Sequence, residues 1–473
     1  MKKNFKTGLL WLVCTISTLS FVGCSENFLD DPKPTETVGE SVVFGSRDGV
    51  EAFLSGINRR ARRQFTRTDA GGLYSMYFAR TLKGNDFIHA RSWYGFDYDN
   101  DNREPTYTRT KFSWEFPYYM ISQANICING VMNSSLSDID KKELSAQAKT
   151  IRAFYYFQLA LEFQEGYTVA GKGLPAPPIY TELSLAGKSM STMDEVYTLI
   201  LSDLTYASQN LQKERLGKSY INIDVVNGIL SRVHLVMKNW SAAEKTAHDA
   251  YGGNVNSVLD SGVYGDGFDD INSKEWMWGM PQSDDQTNYY YNAPAAFVDQ
   301  VNPAYNSVYI NEFFYNNFSA TDARNTFQVT ASTNYTKVTS SKWVFAFTSD
   351  IVIMRTAEMI LIEAEAKFRQ GDETGARDLL YSLQKNRDPL AVNANNTGNS
   401  LEEEILLERR KELYGEIGVE WFDAKRLQRG IVRTPNHRIV KTLAPNDKRF
   451  YLKIPQSEID ANENIDDSVN SGR

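Results

Sequence analysis

Two stretches mix flat rings with short polar side chains in loop-forming sequence. They are Ser92-Trp93-Tyr94-Gly95-Phe96-Asp97-Tyr98 and Gln286-Thr287-Asn288-Tyr289-Tyr290-Tyr291-Asn292. Such a mixture suits a ligand with an apolar face and a hydroxylated rim, as a sugar ring has. The rings stack on C–H faces, and amides and carboxylates reach the hydroxyls. Trp93, Tyr94, Asp97, Tyr289, Tyr290 and Tyr291 are therefore the candidate ligand contacts, with core packing of the same rings as the equal alternative. Trp276 and Trp278 alternate in a strand-like run and read as core.

Catalytic chemistry finds less support. The chain has 4 His (His89, His234, His248 and His437), and no two of them have metal-ligand spacing. There is no G-x-S-x-G nucleophile turn and no H-E-x-x-H helix. Carboxylates are abundant, and a glycosidase needs only a suitably placed pair, so a surface glycoside hydrolase stands as the reading from a different class. Gly166-Tyr167-Thr168-Val169-Ala170-Gly171-Lys172 fits the start of a phosphate loop. Gly173 replaces the metal-binding hydroxyl, and Pro175, Pro177 and Pro178 block the helix that should follow. That match is coincidental. In Asp97-Tyr98-Asp99-Asn100-Asp101-Asn102 acids occupy positions 1, 3 and 5 of a calcium-type loop, but Asn102 and Thr108 replace the Gly and Glu that such a loop wants. A solvated acidic loop is the expectation, with a structural calcium as its alternative. No catalytic residue and no metal ligand is assigned.

The elements that must position these loops are mostly helical. Helical periodicity dominates residues 114–164, 193–251 and 354–429, while 66–110 and 252–350 read as long loops with short strands. Ser231 and Ala243 are repeated in spacing by Ala364 and Ala376, with the turn Gly371-Asp372 between the second pair. Small residues at that spacing let antiparallel helices approach closely, as in tetratricopeptide hairpins. The expected fold is mostly α: a tetratricopeptide-like helical scaffold whose irregular insertions carry the ligand contacts.

Lys2, Lys3 and Lys6 precede an apolar run, Leu9 to Val22, that is too short and too broken by Ser and Thr to span a bilayer comfortably. It ends at Gly23-Cys24, a lipobox-like junction that predicts lipidation of Cys24. Residues 1–23 thus read as a signal peptide, 24–42 as a tether with two prolines and clustered acids, and 43–473 as one domain. Net charge is −8, and residues 1–23 hold only basic charge, so the remainder is more acidic still. An acidic chain is a poor partner for nucleic acid. Of 3 Cys, only Cys127 would remain unmodified after processing, which leaves no internal disulfide and no Cys metal cluster.

Five motifs in order resemble the SusD/RagB family of nutrient-binding outer-membrane lipoproteins. Cys24 with Phe28-Leu29-Asp30 and Pro32 resembles its start, and Ile151 through Phe157 with Leu159 its central helix. Met354-Arg355-Thr356-Ala357-Glu358-Met359 through Ala366 resembles its most recognisable helix. Glu408-Arg409-Arg410 with Glu412-Leu413, then Trp421-Phe422-Asp423, resembles the next signature, and Phe450 through Ile459 the closing segment. The family's Glu-Gly-x-Arg before Trp-Phe-Asp is replaced by Glu416-Ile417-Gly418-Val419-Glu420, and its Tyr-Gly-x-x-Pro turn by Glu165-Gly166-Tyr167. Those departures concern local loops. The signature charges Arg152, Arg355, Glu363, Glu408 and Arg409 read as structural pairs between packed helices. The resemblance implies a surface-exposed, lipid-anchored outer-membrane protein that is not an enzyme and needs no cofactor. It implies capture of an oligosaccharide or polysaccharide for a SusC-like TonB-dependent transporter. Peptide capture of the RagB kind is the alternative within the family, and a purely structural lid is a third reading.

Overall fold

A computed structural model describes residues 39–63, 67–90, 93–284 and 291–473. The signal and lipidation readings, including Cys24, lie outside the described residues, as do Tyr289 and Tyr290.

The helices begin where side chains can satisfy orphan backbone N–H groups. Helix α1 (Arg47–Ala61) is capped by Ser46, whose side chain accepts from the Gly49 amide. Helix α2 (Leu73–Leu82) is buried on every side. Helix α3 (Thr108–Met132) packs along α4 (Asp138–Phe163), which Ser137 caps. Helix α5 (Met193–Asn210) opens on a reciprocal capping box between Thr192 and Glu195.

Two helical hairpins follow. Helices α6 (Ile223–Met237) and α7 (Trp240–Tyr251) are separated by Lys238, which ends α6 in a left-handed conformation. Helices α8 (Thr356–Arg369) and α9 (Glu373–Arg387) turn at Gly371, whose φ of 88° favours glycine. The small residues do what their spacing predicts: Ser231, Ala243, Ala247, Ala364 and Ala376 are fully buried, and α7 packs against α8. Helices α10 (Gly398–Leu413) and α11 (Val419–Arg426) complete the helical part.

The irregular regions contribute a second core on a small set of antiparallel strands. Strands β1 (Phe87–His89), β2 (Trp276–Met280), β3 (Val308–Ile310), β4 (Phe327–Val329), β5 (Val338–Ser340) and β6 (Ile351–Arg355) form two sheets. One has the order β1-β3-β5-β4; the other pairs β2 with β6. Trp276 and Trp278 are buried on β2, as core.

Charged signature residues stitch these layers together. Arg152 on α4 donates to Asp203 on α5 at 2.7 and 2.8 Å. Glu363 accepts from the Tyr251 hydroxyl at 2.6 Å, Arg409 donates to Asp423 at 3.0 Å, and Arg324 bridges Glu408 and Glu412. Arg355 sits at the junction of β6 and α8 and donates to Glu416 at 2.9 Å and Glu412 at 2.8 Å. Arg387 joins Glu275 at 2.8 Å and Glu412 at 3.0 Å. Buried charges of this kind persist only when fully paired, so they fix the register between helices and strands.

Candidate functional site

Pairing of β1 with β3 decides where the aromatic loops meet. The strands are antiparallel, with Phe87 opposite Ile310 and His89 opposite Val308. The chain leaving β1 therefore runs beside the chain entering β3, and the loop around Trp93 comes against the loop around Tyr305.

Four half-buried rings form a continuous surface there: Trp93, Tyr305, Tyr291 and Phe347. Trp93 meets Tyr305 edge-on at 6.1 Å, and Tyr305 meets Tyr291 at 5.0 Å. Tyr291 lies 5.3 Å from Phe347 and stacks on the buried Phe345 at 5.4 Å. Tyr305 in turn rests on the buried Phe297 at 4.8 Å, so the outer rings are supported from beneath. The Arg67 guanidinium lies 5.7 Å from the Trp93 ring centre and is held by Asp69 through bonds of 2.6 and 2.8 Å. Thr68 Oγ1 bonds the Tyr305 hydroxyl at 3.1 Å. The platform thus offers ring faces bordered by a fixed guanidinium.

The backbone here is unusual. Trp93 and Tyr94 both have positive φ, 57° and 34°. Bulky residues rarely adopt this conformation, and strain of this kind clusters at functional sites. One result is that the two neighbouring rings part company. Trp93 stays at the surface, whereas Tyr94 is 1% exposed, edge-on to Phe78 at 5.1 Å and to Phe297 at 5.2 Å.

The candidate contacts must be corrected accordingly. Tyr94 is part of the second core and presents no face to a ligand. Asp97 is 0% exposed and accepts from Arg109 Nε at 3.0 Å. Burial pushes its carboxyl up against the opposing pull of Arg109. Both residues are the platform's foundation, because a loop that turns through left-handed backbone buries one side while exposing the other. The other acids of the calcium-type loop also have cationic partners: Asp99 meets Arg438 at 3.4 Å and Asp101 meets Lys441 at 2.7 Å. Among the described residues no three His, Cys, Asp or Glu side chains come together as a metal site. Lys172, from the phosphate-loop look-alike, pairs with Asp194 at 2.8 Å.

Trp93 and Tyr291 from the sequence reading are brought together. Arg67, Tyr305 and Phe347 were missed. Tyr305 carries a faint signal, an aromatic among turn residues in Asn302-Pro303-Ala304-Tyr305-Asn306. Arg67 carries none, since only the fold places it over Trp93.

Carboxylates around the platform are committed to structural work. Asp69 holds Arg67, and Asp299 accepts from the Phe345 and Val301 amides, both at 2.8 Å. Asp350 accepts from the Ile271 and Gln282 amides at 2.8 and 2.6 Å.

With this geometry established, likeness to known proteins becomes informative. Residues 29–235 match a family described as starch-binding and associating with the outer membrane, and residues 266–472 match the SusD family. A SusD-like protein P38 of Formosa agariphila is 23% identical over 400 residues, which cover 71% of this chain and 76% of that protein. The solved structure of a SusD-like carbohydrate binding protein from Bacteroides vulgatus is similar at 27% identity and a TM-score of 0.80, covering 89% of this chain and 98% of that one. The fold is also shared with surface glycan-binding protein A from Bacteroides thetaiotaomicron, solved in complex with laminarihexaose. There the TM-score is 0.70 at 15% identity, over 88% of this chain and 98% of that one. No helix among the described residues is long and apolar enough to cross a membrane. Ordered motifs, helical hairpins on buried ion pairs, and matches along nearly the whole length agree: the chain belongs to the SusD family.

Proposed function

We propose that this protein captures an oligosaccharide or polysaccharide at the cell surface on the platform of Trp93, Tyr305, Tyr291 and Phe347. The observation that carries this reading is four half-buried rings, supported from below and flanked by Arg67, on a scaffold whose signature charges are internally paired. Pyranose C–H faces stack on such rings, and a guanidinium reaches ring hydroxyls. Capture rather than turnover is supported by the committed state of Asp69, Asp299 and Asp350, each of which is already bonded within the protein. The laminarihexaose complex of the structural relative fits the same reading. In a panel of purified glycans and peptides, a glycan is expected to bind and to be recovered at its original length. Binding of peptides alone, or shortening of the glycan, would refute the proposal.

On this reading the domain is held to the outer membrane through lipid on Cys24, with residues 24–42 as tether, and passes its cargo to a SusC-like TonB-dependent transporter. A tagged chain extracted from native membranes in mild detergent is expected to carry lipid mass at Cys24 and to bring down a large β-barrel protein. An unmodified N-terminal region, with no such partner recovered, would contradict the anchored-lid arrangement.

A further inference from the structure

Beside the platform the chain folds around a narrow slot lined by Tyr77, Phe268, Asn292, Trp343, Phe345 and Gly415, and bordered by the exposed Ala346. Slot and platform are continuous: Phe345 stacks on Tyr291 at 5.4 Å, and Asn292 follows Tyr291 in the chain. Asn292 is 8% exposed and Trp343 3%. Among the described residues, neither Asn292 Oδ1 nor Trp343 Nε1 has a hydrogen-bond partner. Folded proteins seldom bury a donor or an acceptor without a partner, so two at one slot call for an explanation. The indole N–H edge lies at the wall formed by Gly415. A Cβ built on that residue would stand 2.8 Å from Trp343 Nε1, and its φ of 81° already favours glycine.

Size and chemistry narrow the occupant. The space open to the centre of a water-sized sphere is about 30 Å³. That admits roughly two small groups and excludes a second ring. A hydroxyl is the small neutral group that both donates and accepts, which matches one acceptor and one donor. Aromatic walls suit a methylene carrying it.

We infer that the slot receives the exocyclic hydroxymethyl of a sugar ring lying on the platform. Its hydroxyl donates to Asn292 Oδ1 and accepts from Trp343 Nε1. The captured glycan is then built of hexopyranoses, which carry that group, rather than of pentopyranoses such as xylose, which lack it. This rests on the glycan-capture reading and adds the class of sugar to it.

The test uses the full-length chain and calorimetric titration with hexamers. The hexose probes are α-1,4-, β-1,3- and β-1,4-linked glucose and β-1,4-linked mannose; the pentose probe is β-1,4-linked xylose, whose pyranose rings lack the hydroxymethyl. At least one hexose oligomer is expected to bind tenfold or more tighter than the xylose oligomer, an estimate from the cost of two unpaired buried polar groups (about fivefold per group at the low end). Asn292→Ala should erase that preference by weakening the hexose oligomer alone. Trp343→Phe, which keeps a ring and removes the N–H, should do the same, and either variant suffices if its melting temperature shows it folded. Equal or tighter binding of a pentose oligomer overturns the inference. So does a folded variant that keeps the wild-type preference, since the slot then holds only water. Failure of the wild-type chain to bind any oligomer overturns the capture reading and the inference together, whereas a wild-type chain that binds glycans with no preference for hexose over xylose oligomers overturns the inference alone.

Discussion

Glu412→Ala is expected to cost about 3–5 kcal/mol of folding stability at neutral pH, the usual consequence of removing one partner from a buried ion cluster. Glu412 is fully buried and receives bonds from three guanidinium groups, those of Arg355, Arg387 and Arg324. Burial alone would raise its carboxyl, but those three cations together hold it well below its ordinary 4.5. Without it Arg355, Arg387 and Arg324 each lose a carboxylate partner, and buried guanidinium N–H groups are left unpaired although Glu275, Glu416, Asp322 and Glu408 remain. The sign of the pH dependence follows. A depressed carboxylate contributes stability above its unfolded pKa and loses it as pH falls toward the folded value. Glu416 is depressed as well, with burial opposed by Arg355 and Lys342. Wild-type stability should therefore fall steeply below about pH 4.5, and the variant should show a shallower acid slope. Urea denaturation at neutral pH and at several acid values measures both. A variant within about 0.5 kcal/mol of wild type would show that the network is not what joins β6, α8 and α10.

The network also matters for binding. Glu416 and Gly415 are neighbours on the slot, and Lys342, which donates to Glu416 at 2.8 Å, precedes Trp343. Loosening the cluster should let the rings on that segment drift, so stability and affinity are coupled through this one connection.

The scaffold was legible in the sequence because its signals are local and redundant. Ala243, Ala364 and Ala376 mark close helix contacts by size alone, and Arg152, Arg355 and Arg409 sit among helix formers where an unpaired charge would not survive. The platform was only half legible. Composition marks a loop as aromatic and polar, but adjacent residues in it have opposite fates once the backbone enters the left-handed region. Trp93 and Tyr94 read alike and behave differently for that reason. Asp97 reads as a sugar-binding acid until Arg109, the second residue of α3, is seen to claim it. Tyr305 was invisible because β1–β3 pairing, a long-range event, brings it to Trp93, and Arg67 because its segment is held to the Trp93 loop by the Tyr94 hydroxyl, which donates to the Thr68 carbonyl at 3.3 Å. Tyr289 and Tyr290 stay candidates from sequence alone.

The contrast between those two neighbours supplies the second large effect and the most direct test of glycan capture on this platform. Trp93→Ala removes the outermost ring together with its contact to Arg67, yet takes little from the core. Its expected effect on the glycan identified by panel binding is a loss of at least tenfold in affinity, about 1.4 kcal/mol or more, with a stability change under about 1 kcal/mol. Tyr94→Ala empties a packed position between Phe78 and Phe297. It should cost about 3–5 kcal/mol of stability. Calorimetric titration of wild type and both variants, with melting temperatures measured on the same samples, separates the two roles. The account predicts that Trp93→Ala keeps its melting temperature and loses the glycan, whereas Tyr94→Ala loses melting temperature. A Trp93→Ala protein that binds the glycan as tightly as wild type would contradict it.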